Sequence, residues 1–206
     1  MGCILQYGSI LIYAISYFRL KNNGVAQPNV LFLVIPLQTI TLSIFLPIGY
    51  KSILLLGTRK SAALGTILTL ICFMASTYIS SPYLFVVLYG MSYGIGLGLC
   101  YIVPVAAGWH YFPARKGLIA GITTCAYTYS AFTFSIISNK LINPDNVEPD
   151  LEETIGKVTY RYFSDEIANN FPKAIRWECL MWLILTIIAI ALIRSPSQKK
   201  KLKILR

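Results

Sequence analysis

Acid is what this chain has least of. Its 206 residues carry only eight Asp and Glu, all between Asp145 and Glu178, against eighteen Lys and Arg. No long apolar run carries Asp, Glu, Lys or Arg in its middle. Carboxylates inside a membrane normally relay protons, and buried cations hold anionic substrates; neither is expected here. The five cysteines, Cys3, Cys72, Cys100, Cys125 and Cys179, form no CxxC pair and no zinc-type spacing. They read as small hydrophobes in helices. There is one histidine, His110, which serves either as a group titrating near neutral pH or, the simpler reading, as an interfacial polar residue. No Ser/His/Asp or Cys/His set is visible, so neither an enzyme nor a metal or cofactor is expected. The net charge of +10 comes from short clusters rather than a continuous basic surface, which argues against nucleic acid as a partner.

What the chain has in quantity is apolar sequence. Hydrophobic residues make up 56% of it, in runs separated by basic or polar turns. That pattern predicts an all-α polytopic membrane protein in a lipid bilayer. Six spans are expected, at about 1–18, 29–50, 62–81, 83–109, 118–138 and 177–193, forming a single membrane domain over 1–206. The first run also admits a secretory signal, but it has no basic n-region. Met1-Gly2-Cys3 suggests lipidation, although Gln6 stands where the acceptor motif wants Ser or Thr. A first span is therefore preferred. Residues 139–176 read as a polar non-cytoplasmic loop with a short interfacial helix, and 194–206 as a basic cytoplasmic tail. With both termini inside, eleven Lys and Arg fall on the cytoplasmic side and seven opposite, as the positive-inside rule asks.

Tyr89 to Gly121 (YGMSYGIGLGLCYIVPVAAGWHYFPARKGLIAG) organises the chain. Gly90, Gly94 and Gly98 recur every fourth residue and so share one helix face, where small residues let helices approach backbone to backbone. Pro104 removes a backbone donor and should bend the helix. Arg115 and Lys116 mark an interfacial turn, after which Gly117 and Gly121 repeat the spacing. GIGLG is not read as a nucleotide loop, because it lies mid-span instead of between a strand and a helix. The fifth span crowds Thr123, Thr124, Tyr127, Thr128, Tyr129, Ser130, Thr133 and Ser135 into little more than three turns. Lipid offers these hydroxyls no partners, so one face should meet protein or water.

In this stretch Gly94, Gly96, Gly98, Tyr101 and Pro104, then Trp109, Phe112, Pro113, Arg115, Gly117, Ala120 and Gly121, resemble the major facilitator superfamily, most of all its oxalate/formate antiporter and monocarboxylate transporter branch. Gly57, Arg59 and Gly65 resemble that family's loop between its second and third helices, although residues 51–58 lack the aspartate of the family's cytoplasmic latch. The resemblance implies the N-terminal six-helix half of a twelve-helix transporter. It implies alternating access for a small solute such as a monocarboxylate or other organic anion. The partner would be a second six-helix half: the chain itself, another chain, or a missing C-terminal half. It also implies a path lined by Gln6, Tyr13, Gln38 and Tyr101, to which the hydroxyl-rich fifth span adds Thr124 and Tyr127. The reading from a different class is a non-transporting structural or assembly subunit of a membrane complex.

Overall fold

The computed structural model describes residues 3–155 and 158–192. It is all-α apart from one small hairpin. The helices are α1 (Cys3–Lys21), α2 (Pro28–Phe32), α3 (Val34–Leu56), α4 (Thr58–Ser76), α5 (Pro82–Phe85), α6 (Ser92–Cys100), α7 (Ile102–Tyr111), α8 (Lys116–Ile142), α9 (Asp165–Ala168) and α10 (Phe171–Leu192). A π-helical segment, Val86–Met91, joins α5 to α6, and a 3-10 turn, Pro113–Arg115, joins α7 to α8. Three of the helical stretches, Pro28–Leu56, Pro82–Tyr111 and Asp165–Leu192, are long and apolar enough to cross a membrane.

Prolines decide where two of these stretches break. A proline cannot donate to the carbonyl four residues back, and its ring clashes there. The carbonyl four before Pro36 belongs to Phe32, the last residue of α2. The one four before Pro104 belongs to Cys100, the last residue of α6. The helix expected to bend near Pro104 is interrupted one turn earlier, at Tyr101, whose torsions stay helical. Pro47 is carried inside α3 without a break. Gly57 caps α3 and opens α4 at φ +87°, a conformation that a side chain would strain.

The stretch from Pro82 to Tyr111 is the centre of the molecule. Of its most apolar window 67% is buried, against 22% for Pro28–Leu56 and 17% for Asp165–Leu192. Glycine makes this possible. A Cβ on Gly94 would lie 2.6 Å from Thr41 Cβ, and one on Gly98 would lie 2.6 Å from Phe45 Cβ, both on α3. Gly90 faces Leu37 on α3. On the other side of α6, a Cβ on Gly96 would lie 3.1 Å from the Gly65 carbonyl, and one on Gly65 would lie 3.2 Å from the Gly96 carbonyl. A Cβ on Gly49 of α3 would come closer still to the Gly98 carbonyl. Helix α6 is therefore clamped between α3 and α4 by backbone contact. Gly117 and Gly121 differ: a Cβ at either would meet nothing within 4 Å.

An aromatic cluster fills the space beside the π-helical segment. Tyr89 meets Tyr7, Phe73 and Phe85 at centroid distances of 5.3, 4.5 and 5.0 Å. Phe73 leads on to Trp182 at 5.3 Å, and Trp182 to Phe134 at 5.7 Å. The outer surface is apolar by contrast, with Ile44, Leu55, Ile71, Phe132, Ile187 and Leu192 all exposed. Apolar side chains facing outward all round a helical body suit lipid, not water.

Two expectations for the last third of the chain need correcting. The loop at 139–176 includes the end of α8, and within it β1 (Leu151–Ile155) pairs antiparallel with β2 (Val158–Tyr162). Thr, Tyr and Val favour a pleated strand. Glu152 stands opposite Arg161, with 2.8 Å between Oε1 and Nε. The hairpin and the residue after it dock on α1: Phe163 stacks on Tyr13 at 4.5 Å and donates its N–H to Ser16 Oγ, while Arg19 pairs with Glu153 at 3.1 Å. Burial raises the Tyr162 hydroxyl above its ordinary pKa, and Glu153 adds to the rise. The second correction concerns the final helix. It begins at Phe171, not near Trp177, so Glu178 lies two turns inside it. The basic tail at 194–206 falls outside the described residues.

Candidate functional site

The first turns of α10 carry an inward stripe of Phe171, Ala174, Ile175, Glu178 and Cys179. These are positions i, i+3, i+4, i+7 and i+8 of one helix face. Glu178 is consequently 2% exposed. Glu178 is the second residue of the run expected at 177–193, at its edge and not in its middle; the earlier helix start places it two turns inside α10. Around Glu178 gather Gln6 of α1 and Ser138 of α8, 1% exposed each. The Gln6 amide nitrogen donates to both carboxyl oxygens, at 2.9 and 3.0 Å, and also to Ser138 Oγ. Ser138 Oγ is in direct hydrogen-bond contact with Glu178 Oε1 and donates to the Phe134 carbonyl at 2.7 Å. One turn along, Ser9 and Ser135 join the same two helices at 2.7 Å. Among the described residues no ion pair includes Glu178.

A cavity of about 270 Å³ lies between α4, α6, α8 and α10, lined by Thr66, Cys100, Ser130, Phe134, Trp182 and Thr186 among others. Phe134 and Trp182 stand four residues from Ser138 and Glu178, so the cavity sits one turn from the carboxyl cluster on the same faces of α8 and α10. Thr66, Thr69 and Ser130 donate their hydroxyl hydrogens to carbonyls of their own helices, leaving lone pairs for an occupant. Trp182 Nε1–H is buried without a partner among the described residues. No Lys, Arg or His is among the described residues that line this cavity.

The six expected path residues do not share one chamber. Gln6 belongs to the carboxyl cluster. Tyr13 is buried against Phe163 at the docked hairpin. Gln38 is fully buried on α3, with neither amide atom partnered among the described residues. Tyr101, Thr124 and Tyr127 do come together, at the contact of α7 with α8: the Tyr101 hydroxyl lies 3.4 Å from Thr124 Oγ1, and its ring 6.3 Å from that of Tyr127. Arg59 reaches the Ala191 carbonyl near the end of α10, at 3.4 Å. Lys116 lies over the Trp109 ring, and Trp109 Nε1 donates to the Lys116 carbonyl at 3.0 Å. Arg115 is exposed in the 3-10 turn. Glu178, Ser138 and the cavity were not anticipated. The available signal was the stripe from Phe171, hidden because Lys173 and Arg176 look like loop residues. Both cations point away from the core: Lys173 turns to Asn170, and Arg176 bonds Thr77 Oγ1 at 3.0 Å and stacks over Tyr78.

Helix content, apolar exterior and helices of spanning length define an integral membrane protein. Along 96% of its length the chain is 25% identical, over 237 aligned positions, to the apicoplast pyruvate carrier 1 of Toxoplasma gondii. The match covers 43% of that protein, so the chain spans less than half the length of this curated relative. No family model matches the chain, and no solved structure matches it. The resemblance to the N-terminal half of a major facilitator is therefore withdrawn: no family model supports it, and the protein the chain does match is named a pyruvate carrier.

Proposed function

We propose that this chain takes part in carrying a small monocarboxylic solute across a membrane. The observation that supports this best is the similarity to a pyruvate carrier along nearly the whole chain. The cavity beside Trp182 adds to it. Its apolar walls suit a short carbon chain, and its polar atoms suit a carboxyl group with its proton. The carbonyl oxygen of such a group accepts from Trp182 Nε1, and its O–H donates to a threonine or serine lone pair. A bare carboxylate would meet mostly acceptors and no cation, at a desolvation cost of several kcal/mol, roughly.

In this reading six segments cross the bilayer, namely α1, α2 with α3, α4, α5 to α7, α8, and α9 with α10, with both termini on one side, and access alternates between the two faces. A second body completes the route: a further part of the same chain, a second copy, or another chain. The open hydroxyl face around Tyr101, Thr124 and Tyr127 is where that body meets this one.

Uptake of labelled pyruvate and other short carboxylic acids into proteoliposomes tests the proposal. Saturable uptake is expected. Trp182→Phe keeps the ring but removes the donor, and should raise KM about tenfold, the worth of one hydrogen bond. No uptake across the panel would overturn the transport reading and leave a structural membrane subunit.

A further inference from the structure

Glu178 is a buried carboxyl met only by neutral groups, the Gln6 amide and the Ser138 hydroxyl. A serine hydroxyl carries a single hydrogen. At Ser138 that hydrogen has two acceptors in reach, the Phe134 carbonyl at 2.7 Å and Glu178 Oε1. The Gln6 amide has two hydrogens, one for the Glu178 carboxyl and one for Ser138 Oγ. When the serine hydrogen turns to Phe134, the contact between Ser138 Oγ and Glu178 Oε1 is left for a hydrogen on the carboxyl. It becomes a hydrogen bond when the carboxyl itself supplies the hydrogen. The surroundings agree. A buried carboxylate is tolerated when a cation pairs with it, and among the described residues none does.

The charged and titratable groups on the neighbouring elements lead elsewhere. On α1, Tyr7 donates its hydroxyl to the Leu31 carbonyl at 3.2 Å. On α8, Lys140 is exposed and reaches the Pro144 carbonyl at 3.5 Å. On α4, Cys72 is half-buried, and Thr77 takes Arg176. On α10 itself, Cys179 is a buried thiol and Lys173 bonds Asn170.

We propose that Glu178, Gln6 and Ser138 form a proton-binding site that ties α1, α8 and α10 together when it is occupied. With the proton in place, every hydrogen bond of the cluster has a donor and an acceptor. Once the proton leaves, Ser138 turns its hydrogen from Phe134 to Glu178 Oε1, and a bare charge stays among buried groups. The junction then either opens to water or exchanges partners. The site's use in transport rests on the function proposed above, since release of the proton would free three helices beside the solute cavity. Its existence does not rest on that function.

The test is infrared spectroscopy of the purified protein in detergent as pH is raised, with thermal unfolding measured on the same samples. A protonated carboxylic acid has a carbonyl stretch that a carboxylate lacks. The expected result is such a band in the wild type, disappearing as pH rises, and missing from E178Q at every pH. Stability follows the same sign. The folded state holds the proton, so the wild-type melting temperature should fall as that band is lost, while that of E178Q stays level. If E178Q does not fold, S138A carries the test, because the band must shift when its hydrogen-bond partner is removed. A carboxylate spectrum at every pH, or a band unmoved by both changes, overturns the site. A titrating band in a protein that takes up no solute supports the proton site and overturns the transport reading alone.

Discussion

Two helix junctions in this molecule are built on opposite principles. Helix α6 meets α3 and α4 through glycine, with carbonyls lying where side chains would be. Helix α10 meets α1 and α8 through a carboxyl, an amide and serine hydroxyls. The first junction is held by shape. Close packing has a single arrangement and resists small displacement. The second is held by directional bonds that exist in full when the hydrogens are distributed correctly. A membrane protein that moves a solute needs both: a fixed body, and a seam that changes with conditions.

The largest effect expected from breaking this contrast is at the dry junction. Gly94→Leu or Gly98→Leu drives a side chain into α3 backbone and should destabilise by about 3 kcal/mol or more. The yield of folded protein, followed by size exclusion and thermal unfolding, measures it. An unchanged melting temperature would mean that α6 is not clamped as described. Next comes the polar junction. Ser138→Ala leaves Glu178 and Gln6 each short of a partner and should cost about 1–3 kcal/mol. A Ser138→Thr variant that restores the hydroxyl should recover most of this; no recovery would point to packing rather than hydrogen bonding. Tyr101→Phe sharpens the contrast further. Its hydroxyl meets Thr124 at an open surface, so stability should change by less than about 1 kcal/mol. Uptake should nevertheless slow if that surface faces the solute route, and equal uptake would remove Tyr101 from it. The smallest effect is at Gly121. Alanine there meets nothing and favours the helix by up to about 1 kcal/mol. A lower melting temperature for Gly121→Ala would show that α8 packs closely against something at that face.

The two sets of glycines also teach how far a motif reaches. Gly90, Gly94 and Gly98 share a spacing with Gly117 and Gly121. One set lies against α3, and the other faces open space. Spacing places residues on one helix face; it does not say whether another helix comes to that face. The same limit hid Glu178. Its neighbours Lys173 and Arg176 made the segment look like a loop, yet Thr77, Tyr78 and Asn170 were placed to receive them. The hairpin was hidden for a similar reason. Leu151–Ile155 and Val158–Tyr162 are five residues each, too short to stand out from a polar loop until α1 supplies Tyr13, Ser16 and Arg19 to dock on.

Composition and hydropathy alone determined that this is a helical protein of the membrane, because lipid lets only internally bonded backbone cross it and asks for apolar side chains over the full width. They also pointed to an interruption near Pro104, which falls at Tyr101, one turn earlier, while Pro47 interrupts nothing in α3. Tertiary structure decided the rest. Which glycines pack, which carboxyl is buried, and which hydroxyls meet around it depend on residues far apart in sequence, such as Gln6, Ser138 and Glu178. No local pattern brings those three together; the crossing of α1, α8 and α10 does.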